Sequence, residues 1–419
     1  MLALGPHRAS RARDPQRLAS RDVWTPDDLP PSRLLAVDVD YLRRVVVEMC
    51  DIPSPTGRTD HITQYVGERL IALGLDVRVT RRGALVADLE GERSGTDRAI
   101  TCHVDTIGCM VTALKDNGRL ALRPVGTHSA RFAEGVDVRV FVDDLKASFG
   151  GTVLPLKASG HRYDTEVDTQ GVGWDDVEVR LDAPVWSAQD LWDAGVRVGD
   201  FVALESRPRI TGQGFVRARH LDDKAGVACV LAATKALLES GLTLPVSAHL
   251  FITNTEEVGH GASGVVDADV AELVSVDNAV VAPQQQSRED AVNVAVADST
   301  GPFDYHLTRR LLGLCREHSL LHARDVFRYY RSDLAAAVEA GANTRTALIG
   351  VGVDASHGHE RTHVSGMERV ARLLTAYLQT PLVFQDWDER PAGDLSAFPS
   401  LAVQPADDEG PREGPLGVA

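Results

Sequence analysis

The chain has 419 residues, 43% hydrophobic and 25% charged, the balance of a globular protein with two domains or one large domain carrying an insertion. A net charge of −16 leaves no basic field to neutralise phosphates, which argues against nucleic acid as a partner. No apolar run approaches the length of a membrane span, which argues against a membrane partner.

Residues 1–36 are polar, Pro-containing and Arg-rich, with no apolar segment behind the arginines. That is not a secretory signal, and it is expected to be a disordered arm. VDVDYLRRVVVEMCDIPSPTG follows, with apolar residues at helical spacing until Pro53, Pro55 and Gly57 stop the helix. TDHITQYVGERLIALGL predicts a second helix, and DVRVTRRG, ALVADLEG and RAITCHVD predict strands.

The texture changes over 111–215, where short strands alternate with Gly, Pro and Asp turns, from MVTALKDNG to RITGQGFVRAR. This predicts a small β-barrel or sandwich inserted into an α/β domain formed by 37–110 and 216–384, the fold expected being a mixed-sheet, three-layer α/β/α domain with an inserted β-barrel. LDDKAGVACVLAATKALLESG resumes the α/β pattern as a helix, with Asp222 or Asp223 near its N-cap and Gly241 at its end. Strands end at TNTEE, at Asp277 in VSVD and at GVGVD, and a last helix reads MERVARLLTAYLQ. Residues 385–419 are acidic and rich in Pro and Gly, an expected disordered tail. The five cysteines are scattered, with no C-x-x-C pair, which fits reduced thiols and a cytoplasmic location.

His359-Glu360-Arg361-Thr362-His363 spells H-E-x-x-H, a zinc-protease signature only if it is helical, because i and i+4 then share a face. Ser365 and Glu368 form a capping box after it, so the helix is expected to start at about 365 and the motif to be a loop. Other strand and helix ends supply a more coherent set. His103 and Asp105 lie two apart on one strand, Asp222 opens a helix, Glu256 and Glu257 follow a strand, Asp277 closes another, and His357 or His359 follows a third. Taken singly, each has a plainer role: a core histidine, an N-cap, a solvated turn. Together they suit two cations about 3.5–4 Å apart bridged by one carboxylate, with a spare carboxylate as general base.

At these residues the sequence resembles the M42 family of metallo-aminopeptidases (glutamyl aminopeptidase/endoglucanase-like). CHVDTIGCMV, LDAPVWSAQDLWDAGVRVGDFV, HLDDKAG, TNTEEVGHGAS and VSVD carry the resemblance, in order, within residues 38–380. It implies His103, Asp222, Glu257, Asp277 and His357 as metal ligands, with Asp222 bridging. It also implies Glu256 as general base and Asp105 as the group orienting His103. The cofactors implied are two divalent ions per chain, zinc with cobalt or manganese as alternatives. The inserted barrel is then PDZ-like and used in oligomerisation, as a dimer or dodecamer.

Two departures stand out. Lys224 replaces the usual Arg, and the segment DASHGHERTH replaces the usual ending, leaving His359 and His363 as alternatives to His357. This variant ending, with YYRSDLAAAVEAG upstream, is similar to M42-type peptidases attached to synthesis of the osmoprotectant N-acetylglutaminylglutamine amide. It implies a small peptide or peptide amide as substrate. Asp333 either faces that substrate or caps its helix, the second being preferred. The alternative activity on the same metals is deacylation of N-acylated amino acids or dipeptides.

Overall fold

The computed structural model describes residues 31–144 and 147–384. The expected tail from 385 and most of the expected N-terminal arm lie outside the described residues. Residues 32–36 depart from that expectation: Leu34 and Leu35 pack on the main core, and the Leu35 N–H donates to Thr375 Oγ1 at 3.3 Å. Two apolar side chains with a core face to cover are enough to hold so short a stretch.

Helices α1 (Val39–Cys50) and α2 (Asp60–Ala72) precede strands β1 (Val77–Val79), β2 (Leu85–Leu89) and β3 (Gly91–His103). Next come β4 (Gly108–Leu114), β5 (Arg119–Val125), β6 (Asp137–Phe141), β7 (Ser148–Pro155), α3 (Gly160–Tyr163), α4 (Glu166–Thr169), β8 (Val177–Leu181), α5 (Ala188–Asp193) and β9 (Phe201–Leu204). The chain continues through β10 (Arg209–Ile210), β11 (Phe215–Ala218), α6 (Leu221–Ser240), β12 (Leu244–Thr253), β13 (Val270–Val281), β14 (Val292–Asp298) and β15 (Gly301–Pro302). It closes with α7 (Tyr305–Glu317), β16 (His322–Val326), α8 (Asp333–Glu339), β17 (Arg345–Asp354), β18 (Glu360–His363) and α9 (Val364–Leu378).

A 12-stranded mixed sheet runs β1-β2-β12-β3-β13-β17-β18-β11-β10, with β14 to β16 branching from β17. Its centre, β12-β3-β13-β17, is parallel. Those strands read as nearly continuous apolar runs because both faces are covered. On one face α1, α2, α6, α7 and α9 share a large core with Leu42, Leu231, Ile100, Val351 and Leu374. Helix α6 is apolar almost all round, as a helix enclosed by others must be, and ends at Gly241, whose φ of +65° favours glycine. The other face carries α8 and a smaller cluster around Phe251, Leu273 and Leu348. Among the described residues, no helix is long and apolar enough to cross a membrane.

β4-β5-β8-β7-β6-β9 close into an antiparallel barrel with its own core of Val111, Val138, Val153 and Val202. The strands of RITGQGFVRAR, expected in that barrel, belong instead to the large sheet: β11 pairs with β18, and Val216 and Ala218 are buried in the large core. Alternation alone tells a strand's faces, not its partner.

Candidate metal centre

The dispersed histidines and carboxylates converge at the C-terminal ends of the parallel strands. His103 closes β3, and its Nε2 lies 3.2 Å from Asp222 Oδ1, 3.7 Å from Glu256 Oε2 and 3.8 Å from Asp277 Oδ1. His357 Nε2 lies 3.3 Å from Asp222 Oδ2 and 3.5 Å from Glu257 Oε2. Two sets of ligand atoms result, each within 4.8 Å: His103, Asp222 and Asp277, and Asp222, Glu257 and His357. Asp222 belongs to both, presenting one oxygen to each histidine.

Local structure explains each placement. Asp223, not Asp222, turns back to the helix, its Oδ1 accepting from the Gly226 N–H at 3.1 Å and its Oδ2 from the His103 N–H at 3.3 Å. Asp222 keeps an extended ψ of 108° and is left facing the strand ends. Asp277 does not end its strand, as expected, but sits inside β13. The β3 ladder stops at Ser275, and the side chain of Asp277 lies beside His103, 3.8 Å from its Nε2. His357 has φ +62°, and its Nδ1 donates to the Thr127 carbonyl at 2.7 Å, which leaves Nε2 for the site.

Asp105 does more than orient His103. The Asp105 main-chain carbonyl accepts from His103 Nδ1 at 3.0 Å, while its carboxylate Oδ1 stands off at 3.6 Å. That carboxylate accepts instead from Thr56 Oγ1 at 2.6 Å and from the N–H groups of Glu256 and Glu257 at 3.1 and 3.3 Å. It fixes the turn that presents both glutamates.

The H-E-x-x-H residues do not share a helix. Glu360–His363 is β18, and α9 begins at Val364 with His363, not Ser365, at its N-cap, accepting from the Ser365 N–H. The His363 ring reaches Ser365 Oγ and the Gln213 carbonyl, while His359 is exposed, so neither joins the site. Glu360 has a different use. Buried at 1% exposure, it accepts from the Asp222 N–H at 3.1 Å and the His357 N–H at 2.8 Å, clamping two candidate ligands. Nor is Asp333 the cap of its helix; it is the first residue of α8. Its carboxylate accepts from Thr253 Oγ1 at 2.6 Å and from the Ala262 N–H at 2.9 Å, tying the segment after Glu257 to the sheet. Sequence reasoning missed Thr56 and Tyr330. The Tyr330 hydroxyl is shut from solvent beside Asp277, and nothing in YYRSD marks it.

The electrostatics are those of a site built for cations. Burial pushes the Glu256 carboxyl well up, with Asp277 adding to it, and lifts Glu257 to about 8. Burial opposes charge on His103 and His357 too, but the surrounding carboxylates outweigh it and raise His103 well up and His357 to about 10. Burial also opposes charge on Asp222, yet its bonds to the two histidines hold it low. So many buried carboxylates around two imidazoles are costly unless divalent cations replace the protons. Oxygen and imidazole donors without thiolate fit zinc, cobalt or manganese.

The model of the M42 glutamyl aminopeptidase family matches residues 83–373. The Bacillus subtilis protein named "Putative aminopeptidase YhfE" is 35% identical over 81% of this chain and 97% of its own length. Among solved structures, the TET1 peptidase of Pyrococcus horikoshii, which can assemble into a tetrahedron or a large octahedral shell, is similar with a TM-score of 0.71. It is 21% identical, over 80% of this chain and 99% of that one. A TET aminopeptidase from a marine-sediment Thaumarchaeota archaeon is similar with a TM-score of 0.73, at 16% identity over 81% and 96% of the two chains. The folds agree, the family model spans both the sheet and the barrel, and the chain belongs to the M42 glutamyl aminopeptidase family of peptidases, a family of hydrolases.

Proposed function

We propose that this chain is an aminopeptidase requiring two divalent cations and acting on small peptides or peptide amides. The observation that carries the reading is Asp222, shared between two sets of ligand atoms, while Glu256 stands 3.7 Å from His103 without belonging to either set. His103, Asp222 and Asp277 would hold one cation, and Asp222, Glu257 and His357 the other, with zinc first and cobalt or manganese as alternatives. Bound there, the pair supplies activation of water and polarisation of the scissile carbonyl.

The remaining work falls to the chain's own residues. Glu256 accepts the proton of the attacking water and returns it to the leaving amine. Burial raises its carboxyl in the direction such a group needs. Asp105 and Asp333 hold the segment on which Glu256 and Glu257 ride. The barrel, which runs from β4 to β9 over residues 108–204, serves assembly into a homo-oligomer, a dimer or dodecamer, a reading supported by the assemblies named for the TET1 relatives. Five buried free cysteines suit a cytoplasmic location. The ending around His357 supports a link to osmoprotectant peptide metabolism.

The test is a matched pair of substrates, a free dipeptide amide and its N-acetylated form, offered to the metal-reloaded protein. Cleavage of the free form alone is expected. Hydrolysis confined to the acetylated form would replace this reading with the deacylase one.

A further inference from the structure

A second cluster of metal-ligand atoms lies further back along the same strands, Asp97 within β3 and His249 within β12. Asp97 stands six residues before His103 on β3, about 20 Å away along the strand. Asp97, His249 and Asp269 bring one ligand atom each within 4.8 Å of the others.

Two observations make this more than a charged turn. The first is the histidine's orientation. Asp88 Oδ1 on β2 lies 2.8 Å from His249 Nδ1 and accepts its proton, so Nε2 points at Asp97 and Asp269. A carboxylate holding the outer nitrogen is the arrangement that fixes a metal-binding imidazole. The second is what the inner atoms lack. His249 Nε2 and Asp269 Oδ1 are both closed to solvent and neither has a hydrogen-bond partner. Nε2 is 3.3 Å from Asp97 Oδ2, an ion-pair contact that together with Asp88 raises the imidazole to about 9 and that a cation would replace. The side chain of Asp97 is itself only 5% exposed, its other oxygen accepting from the Gly95 N–H at 2.9 Å. Unsatisfied buried polar atoms that converge on one point call for a ligand at that point.

The backbone is shaped to produce the convergence. The β12–β3 ladder slips between Val246 and Ala248, and the β13–β3 ladder slips between Val270 and Glu272. Such irregularities re-aim side chains. The Asp97 N–H donates to the Asp269 carbonyl at 2.7 Å, which locks the two aspartates side by side.

We propose that Asp97, His249 and Asp269 form a third cation site, taking a divalent first-row ion such as zinc or manganese, with Asp88 as the group that orients His249. Two carboxylates and one imidazole leave positions for water. Far from Glu256, the ion would pin β2, β3, β12 and the turn before β13 together rather than take part in hydrolysis.

The experiment counts zinc per chain by elemental mass spectrometry in the full-length protein, stripped and reloaded, for wild type, Asp269→Asn and Asp222→Asn. Asp269→Asn is expected to hold one zinc fewer than wild type. Asp222→Asn lowers the count independently, so failure of the catalytic-site reading shows as an unchanged count there and leaves this comparison intact. An equal count in folded Asp269→Asn and wild type overturns the third site. If Asp269→Asn does not fold, cobalt added to Asp222→Asn decides: a visible absorption band lost on excess zinc supports the site, and its absence overturns it.

Discussion

The two halves of the candidate centre are built differently. His103 and Asp277 come from adjacent parallel strands, and their side chains are 2% and 4% exposed. His357 comes from a segment after a strand, and its side chain is 30% exposed. Adjacent strands carry His103 and Asp277, and the Asp105 carbonyl holds the His103 ring from the same strand end. The loop histidine needs Glu360 on its N–H and the Thr127 carbonyl, on the barrel side, at its ring. The first half is therefore enclosed and the second has room beside His357 for an incoming ligand.

Asp222 belongs to both sets of ligand atoms, so Asp222→Asn should break the comparison altogether. Turnover is expected to vanish and both cations of the pair to be lost. An Asp222→Asn protein that keeps two cations in the pair would show that the halves do not share a ligand. Glu256→Gln should come next, lowering kcat by about 10²–10⁴-fold while cation content stays at the wild-type level. Unchanged kcat would remove Glu256 from the role of base, and lost metal would recast it as a ligand.

Asp105→Asn sharpens the contrast rather than breaking it. Its main-chain carbonyl would still hold His103, so the enclosed half should keep its cation. The turn bearing Glu257 would lose a charged acceptor, and the open half should bind its cation about 10–100-fold more weakly. Competition with a graded chelator separates the two, and equal weakening of both would show that the Asp105 carboxylate steadies His103 as well.

Much of the candidate centre's grouping could be read from the sequence because its candidate ligands sit where chain order meets strand ends. His103 and Asp105 share a face by simple alternation. What stayed illegible is what depends on tertiary pairing. Asp277 sits where the β3 ladder stops, a property of two strands at once. Glu360 reads as part of a zinc motif, yet it serves as a backbone clamp because β18 follows β17 back across Asp222. Ser365 spells a capping box, but the strand before it runs to His363, whose ring reaches the cap first. The strands around Ile210 and Val216 show the same limit, since pattern fixes their faces and pairing fixes their sheet.

The smallest expected effect concerns the latch of the open half. His128 follows Thr127, whose carbonyl holds His357, and packs edge-on against Trp174 at 4.8 Å. Burial, aided by His357, pushes its imidazole down to about 4. The unfolded chain binds a proton there near pH 6.5 and the folded chain does not, so stability present above pH 6.5 is lost as pH falls through 6.5 towards 4. The loss is at most about 3 kcal/mol, and less with solvent screening. Denaturant unfolding of the metal-free chain at pH 7, 5.5 and 4.5 measures it against His128→Gln, which cannot take up that proton. The variant should show a shallower decline. Matching slopes would mean that His128 is not a buried neutral group, and that acid reaches the open half by another route.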